Sequence, residues 1–293
     1  MATLNQWIEG ARPRTLPAAV SPVLVGTGAA YESGHVVWAY AILALAVSVL
    51  LQIGVNYAND YSDGIRGTDA VRVGPVRLVG QRLAAPRTVK FAAFTCFFFA
   101  ALLGLALVAL SELWVMIPIG AAAIAAAWYY TGGSRPYGYL GLGEAFVFVF
   151  FGLVATLGTM ATMTSLTPAG WWGAIGVGSL ASAILVANNL RDIPTDREHG
   201  KLTLAVRMGE RGTRAFYVGL VAISFIMTVL ASFTSPLALL AVLAAPMLVR
   251  PMRVVLGGAK GRGLIPALAG TGIFQLAWSA LFALGLALGH HLF

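Results

Sequence analysis

A chain of 293 residues that is 59% hydrophobic and only 10% charged is not built for water, because soluble domains carry about 25% charged residues. Its formal charge of +8 would suit a nucleic-acid binder, but the positions of those charges along the chain exclude that class. One cysteine, Cys96 in the apolar run 91–110, excludes an intrachain disulfide, and no metal-ligand spacing surrounds it; a buried structural thiol is expected there.

The first residues, MATLNQWIEGARPRT, are polar and lack the apolar core of a cleavable signal. Apolar stretches follow at about 17–31, 36–58, 91–110, 113–130, 142–163, 170–190, 215–233, 236–249 and 264–289. A spanning helix needs roughly 20 such residues to cross about 30 Å of hydrocarbon. The pattern predicts an all-α membrane bundle of about nine transmembrane helices, one domain over residues 1–293. The first and eighth stretches are short, and Pro17, Pro22, Pro118 and Pro236 mark ends or kinks that a bundle accommodates.

Nine spans leave ten segments on alternating sides. The N-terminus and the loops near 59–90, 131–141, 191–214 and 250–263 share one side and hold all 19 Lys and Arg residues. The other side receives YESGH, the Ser111–Glu112 corner, two short turns and His290–His291. The positive-inside rule puts the basic side, with the N-terminus, in the cytoplasm and the C-terminus outside. An even number of spans would scramble this partition, so the split itself supports nine. The net charge is first a topology signal; attraction of an anionic substrate or headgroup is compatible with it.

Two long loops on the basic side begin where an apolar run ends in acids. QIGVNYANDYSDGIRGTD follows the second span and carries Asn56, Asn59, Asp60, Asp63 and Asp69. VANNLRDIPTDREHGKLT follows the sixth and carries Asn188, Asn189, Asp192, Asp196 and Lys201. Asn56 stands four before Asp60 and Asn188 four before Asp192, a weak symmetry of two halves with motifs near 56–69 and 188–201. Residues four apart share a helix face, so Asn188, Asp192 and Asp196 form one column, as do Asn56 and Asp60 with Asp63 beside them. Like charges at that spacing repel, a helix C-terminus is the negative end of its dipole, and desolvation adds cost. A chain bearing these penalties twice is expected to hold a cation there. Oxygen donors without His or Cys point to Mg²⁺ or Ca²⁺. Sparse carboxylate pairs suit Mg²⁺, which completes its shell with water and phosphate. Loop salt bridges to Arg66, Arg191 and Arg197 are the plain alternative for one cluster; two matched clusters argue against it.

Arg66, Arg72, Arg77 and Arg82 follow the first cluster, and Arg191, Lys201 and Arg207 accompany the second. Together with divalent ions they would clamp a diphosphate and neutralise its charge as it leaves, although each Arg alone reads as a topology determinant. Lys201 and Arg77 are the strongest candidates. A third loop, WYYTGGSRPYGYLGLGE, crowds five glycines around Arg135 and Tyr139, which implies tight turns and close backbone approach or a plain hairpin. Glu144, at the start of the fifth span, is expected to face the bundle interior.

NDYSDGIRGTD with GPVRLV, and NNLRDIPTDREHGKLTLAVRMG, resemble the two Asp-rich motifs of the UbiA-type membrane prenyltransferase superfamily. WIEGARPRTLPAAVSPVLVGTG and YTGGSRPYGYLGLGE are similar to its menaquinone-pathway 1,4-dihydroxy-2-naphthoate branch, so the resemblance covers nearly the whole chain. There is one departure. Gly67 stands where many members have a third acid, and Asp69 comes two later, without an assigned role. The resemblance implies helices around a central cavity in a bacterial plasma (inner) membrane. It implies that Asp60, Asp63, Asp192 and Asp196 hold Mg²⁺, two ions, against a polyprenyl diphosphate. Asn56, Asn59 and Asn188 would assist, with Lys201, Arg66, Arg77, Arg135, Tyr139, Arg191 and Arg207 contacting substrate. Diphosphate departure would leave an allylic cation in a water-excluded cavity; the naphthoate ring would attack it and lose CO₂, giving demethylmenaquinone. Two readings compete: another acceptor, 4-hydroxybenzoate or homogentisate, and a cation-coupled transporter, which would place its charges near the bilayer midplane.

Overall fold

The structure, a computed structural model, describes residues 2–67 and 76–292; Asp69 and Arg72 lie outside the described residues. Those described are helical or irregular, with no strand, as expected where the bilayer offers no partner to backbone N–H and C=O groups. A short helix, α1 (Leu4–Gly10), starts on a Thr3–Gln6 capping box and leaves Leu4 and Ile8 exposed. A 3-10 turn at Pro13–Thr15 leads into α2 (Pro17–Glu32), α3 (Trp38–Ile65), α4 (Pro86–Ser111) and α5 (Met116–Tyr129). Then come α6 (Gly143–Ala161), α7 (Pro168–Glu198), α8 (Leu204–Ser232), α9 (Pro236–Leu256) and α10 (Ile265–Leu292). Seven helical segments are long and apolar enough to cross a membrane. With the shorter α2 and α5, each of the nine apolar runs has its helix among the described residues.

Length explains where the acids end up. α3 has 28 residues and α7 has 31; at about 1.5 Å per residue they are about 42 and 46 Å long, against about 30 Å of hydrocarbon. The apolar runs end near residues 58 and 190, but the helices continue to Ile65 and Glu198. Both acid clusters are therefore helical and ride on the overshoot.

Three local departures adapt the bundle. α6 has a π-helical centre, Phe148–Val154, where Gly152 meets Gly178 of α7 so closely that an added Cβ would lie 2.5 Å from the Gly178 Cα. The eighth apolar run is short, but Pro236–Leu248 is a 13-residue 3-10 helix; its rise of about 2.0 Å per residue stretches it to about 26 Å. Gly209, at φ 69°, breaks α8 near its start.

α3 packs on α4, α7 on α8, α9 on α10, and α10 back on α2. The second half closes around Trp278, Phe282, Phe274 and Tyr217, all fully buried. There Trp278 donates to Thr228 (3.0 Å), and Tyr217 shares a hydrogen bond with Thr271 (2.6 Å). The cavity is consequently off-centre. It lies among α2 to α7, with Leu268 the one lining residue from α8 to α10, and has a volume of about 550 Å³. Contacts among the other helix ends define the opposite face: Ser235 donates to Glu32, His290 to the Glu32 carbonyl (3.0 Å), and Tyr40 to the Leu110 carbonyl (2.6 Å).

Candidate active site

The overshooting ends of α3 and α7 form the polar end of this cavity, and α4, α5 and α6 form its apolar body through residues such as Leu105, Leu107, Ile124, Phe146, Phe150 and Val154. From α3, Asn56, Asn59 and Asp63 line the cavity; from α7, Asn188, Asn189 and Asp196 do. In each arm the lining Asp follows a lining Asn by seven residues, two helical turns. Lys201 and Arg77 join them at the same end, and both are buried.

Asp60 and Asp192 differ. The Asp60 carboxylate accepts the backbone N–H groups of Leu78 (2.6 Å) and Val79 (3.2 Å), pinning the segment after the first motif onto α3. Asp192 is gripped by Arg191 through two hydrogen bonds of 2.7 Å, and Arg191 also donates to Asn188 (2.9 Å). Neither acid is among the residues that line the cavity. The single column expected of each helix is thus divided: one Asp per arm turned to protein donors, one to the cavity.

The arms meet at Asp63. Its Oδ1 accepts from Tyr139 (2.6 Å) and from Lys201 Nζ (3.1 Å), and the Lys201 ammonium lies 4.4 Å from the Tyr139 ring centroid. Burial first, then the charge of Asp63, holds the Tyr139 hydroxyl above its ordinary range, so it remains a donor. Lys201 closes a loop of 138 residues onto Asp63, and its backbone N–H is bonded to the Asp196 carbonyl (2.8 Å). Asn59 accepts from Thr131 (2.8 Å), which ties α3 to the glycine-rich loop.

Four expected substrate contacts sit elsewhere: Arg191, on Asp192 and Asn188, and three others. Arg66 donates to the Thr131 and Gly133 carbonyls and lies over the Tyr139 ring at 5.4 Å. Arg207 is exposed and bonds the Leu140 and Leu202 carbonyls, both at 3.1 Å. Arg135 is exposed. None of the four lines the cavity; Arg66 and Arg207 brace the loops above it.

A sequence profile of the UbiA prenyltransferase family matches residues 19–262. The chain belongs to that family. The chain is 53% identical to the 1,4-dihydroxy-2-naphthoate octaprenyltransferase of Mycobacterium tuberculosis, over 99% of both chains. It is 39% identical to the Escherichia coli protein of the same name, over 96% of this chain and 95% of that one. Among solved structures it shares the fold of a UbiA homologue from Aeropyrum pernix K1 (TM-score 0.68, 16% identity, 92% of this chain and 97% of that one). It also shares that of a UbiA homologue from Archaeoglobus fulgidus bound to DMAPP and Mg²⁺ (TM-score 0.66, 14% identity, 96% and 99%).

The donors of this UbiA-family cavity suit a hard divalent ion in kind. No group of three His, Cys, Asp or Glu side chains able to hold a metal converges among the described residues. Two carboxylates and several amide oxygens flank the polar end instead, which is how Mg²⁺ is held when water and phosphate supply the remaining ligands. Sequence reasoning missed Arg12, a half-buried cavity residue in the left-handed region (φ 55°). It also missed Thr15 and Gln52, which hold Asn56: Asn56 donates to Ala11 O (2.8 Å) and Thr15 Oγ1 (3.0 Å), and Gln52 donates to Thr15 (2.9 Å). Nothing in RPRT distinguishes Arg12 from the other topology-setting arginines; only the turn at Pro13–Thr15 brings it inward.

Proposed function

We propose that this chain transfers a polyprenyl group from a polyprenyl diphosphate to 1,4-dihydroxy-2-naphthoate, releasing diphosphate and CO₂. The observation that carries the reading is one cavity with a carboxylate- and cation-lined end and a long apolar body; the relatives' names support the acceptor. Asp63 and Asp196, with Asn56, Asn59 and Asn188, would hold Mg²⁺, whose positive charge would offset the negative charge of the diphosphate leaving group. Lys201 and Arg77 add positive charge at the same end and bind phosphate oxygens. Asp60 and Asp192 act indirectly: Asp60 holds the segment that carries Arg77, and Asp192 holds Arg191 beside Asn188. The apolar walls from α4, α5 and α6 receive the prenyl tail and exclude water from the allylic cation. The diphosphate leaves with the C–O electron pair. The ring carbon bearing the carboxylate forms the new C–C bond, and the electrons of the broken C–CO₂ bond return to the ring. The product is the quinol whose oxidised form is demethylmenaquinone. With the basic helix ends cytoplasmic, the polar end of the site lies on the cytoplasmic side of a bacterial plasma membrane.

The test is purified protein in detergent with Mg²⁺, a polyprenyl diphosphate and each acceptor in turn, products identified by mass. Prenylated, decarboxylated naphthalenediol is expected. A product only from 4-hydroxybenzoate or homogentisate would replace the acceptor, and no diphosphate release with any acceptor would overturn the enzyme reading.

A further inference from the structure

Glu144 opens α6 and is buried at 5% exposure, yet it is not among the residues that line the cavity. Its Oε1 accepts from Asn189 Nδ2 at 2.9 Å, its Oε2 has no hydrogen-bond partner, and its backbone carbonyl accepts from Ser182 at 3.1 Å. A carboxylate buried within a membrane bundle is costly and marks function more often than packing.

The chemistry of the pair fixes an orientation. Oε1 of Glu144 accepts here, whereas an Asn amide has a donating edge and an accepting edge. Facing Glu144, Asn189 presents its NH₂; its carbonyl oxygen is then committed to the other edge. Asn189 lines the cavity, 6% exposed, beside Asn188 and two turns from Asp196. An amide at that place without Glu144 is free to turn its NH₂ to the cavity, which repels a cation and leaves one oxygen ligand fewer.

We propose that Glu144 is a positioning residue: by accepting the Asn189 amide it turns the Asn189 carbonyl oxygen into the cavity as an additional oxygen donor to the cation that neutralises the diphosphate. The inference rests on the Mg²⁺–diphosphate reading above and adds two residues to it, Asn189 as ligand and Glu144 as its holder.

The test is the thermal unfolding midpoint of the full chain in detergent, titrated with Mg²⁺ at fixed inorganic diphosphate, which needs no turnover. In the wild type, Mg²⁺ raises the midpoint. Glu144→Ala and Asn189→Ala should each raise the Mg²⁺ concentration needed for half the shift by about 10- to 150-fold, the range for losing one hydrogen bond to a charged group. The double variant should be no worse than the poorer single one, because the two act as one unit. Glu144→Gln, which can still accept from Asn189, should stay within about threefold of wild type, and Ser182→Ala should match wild type. Glu144→Gln also serves if Glu144→Ala does not fold: a loss as large as that of Asn189→Ala would then contradict the proposal. A wild-type Mg²⁺ response with an unchanged Glu144→Ala, or additive losses in the double variant, overturns the positioning role alone. A wild type that shows no Mg²⁺ response overturns the Mg²⁺ reading and this inference with it.

Discussion

At the scale of single residues, the four aspartates of the two motifs have separate surroundings. Asp63 faces the cavity, so Asp63→Asn should lower kcat by about 10²- to 10³-fold, the usual loss when one charge-stabilising group is removed. Asp60 instead satisfies two buried backbone donors. An amide has one accepting oxygen, so Asp60→Asn leaves one donor facing an NH₂, a cost of about 1–3 kcal/mol. It should lower the thermal midpoint in detergent measurably more than a surface change such as Arg135→Gln. Tyr139 keeps its proton because burial and Asp63 hold its hydroxyl above the ordinary value. For a phenol, a raised value favours the neutral form, so no step in a pH–rate profile through neutral and mildly alkaline pH should belong to it. Tyr139→Phe is expected to reduce kcat/KM by about 10- to 150-fold, one hydrogen bond to a charged group, without changing that profile. A profile that loses a limb in Tyr139→Phe would show that Tyr139 titrates in turnover.

Elements impose a different kind of constraint. The two helices that carry the motifs are longer than the hydrocarbon layer, and this excess makes the clusters helical yet keeps them at its edge. α6 and α7 approach backbone to backbone at Gly152 and Gly178, a contact that small residues permit in bilayers. Gly152→Ala drives a Cβ into the Gly178 Cα, where neither side can yield cheaply, and overpacking of this kind costs about 1–3 kcal/mol. Because α6 walls the cavity and α7 carries Asp196, activity should fall along with the unfolding midpoint. A variant as stable and active as wild type would mean that the π-helical segment adjusts freely. At Gly209 the strain is of backbone origin: space around its Cβ position is open, but φ is 69°. Gly209→Ala is therefore expected to destabilise by about 1 kcal/mol without touching the cavity.

For the whole molecule, alternation of nine spans predicts that the lysine- and arginine-bearing ends share one compartment. In a Cys96→Ser background, Lys260→Cys should resist a membrane-impermeant thiol reagent in intact cells and react once the membrane is opened. Glu112→Cys, on the opposite face, should react in intact cells. The reverse pattern would invert the proposed orientation. The sequence alone determined the all-helical membrane fold, the order of its apolar helices, the clustering of Lys and Arg in alternate segments and the two acid motifs. Those features depend on hydropathy, charge and helical spacing, which are local. It did not determine that Asp60 and Asp192 turn away from the cavity, because their partners, Leu78, Val79 and Arg191, compete with the cavity only in three dimensions. Nor did it reveal that Arg12 reaches the site, that Asn189 is held by Glu144, or that the cavity lies among α2 to α7. Each of these is set by which helices pack together. The bulky interior around Trp278 fills the second half of the bundle, and the small residues of α4 and α5 leave the first half open.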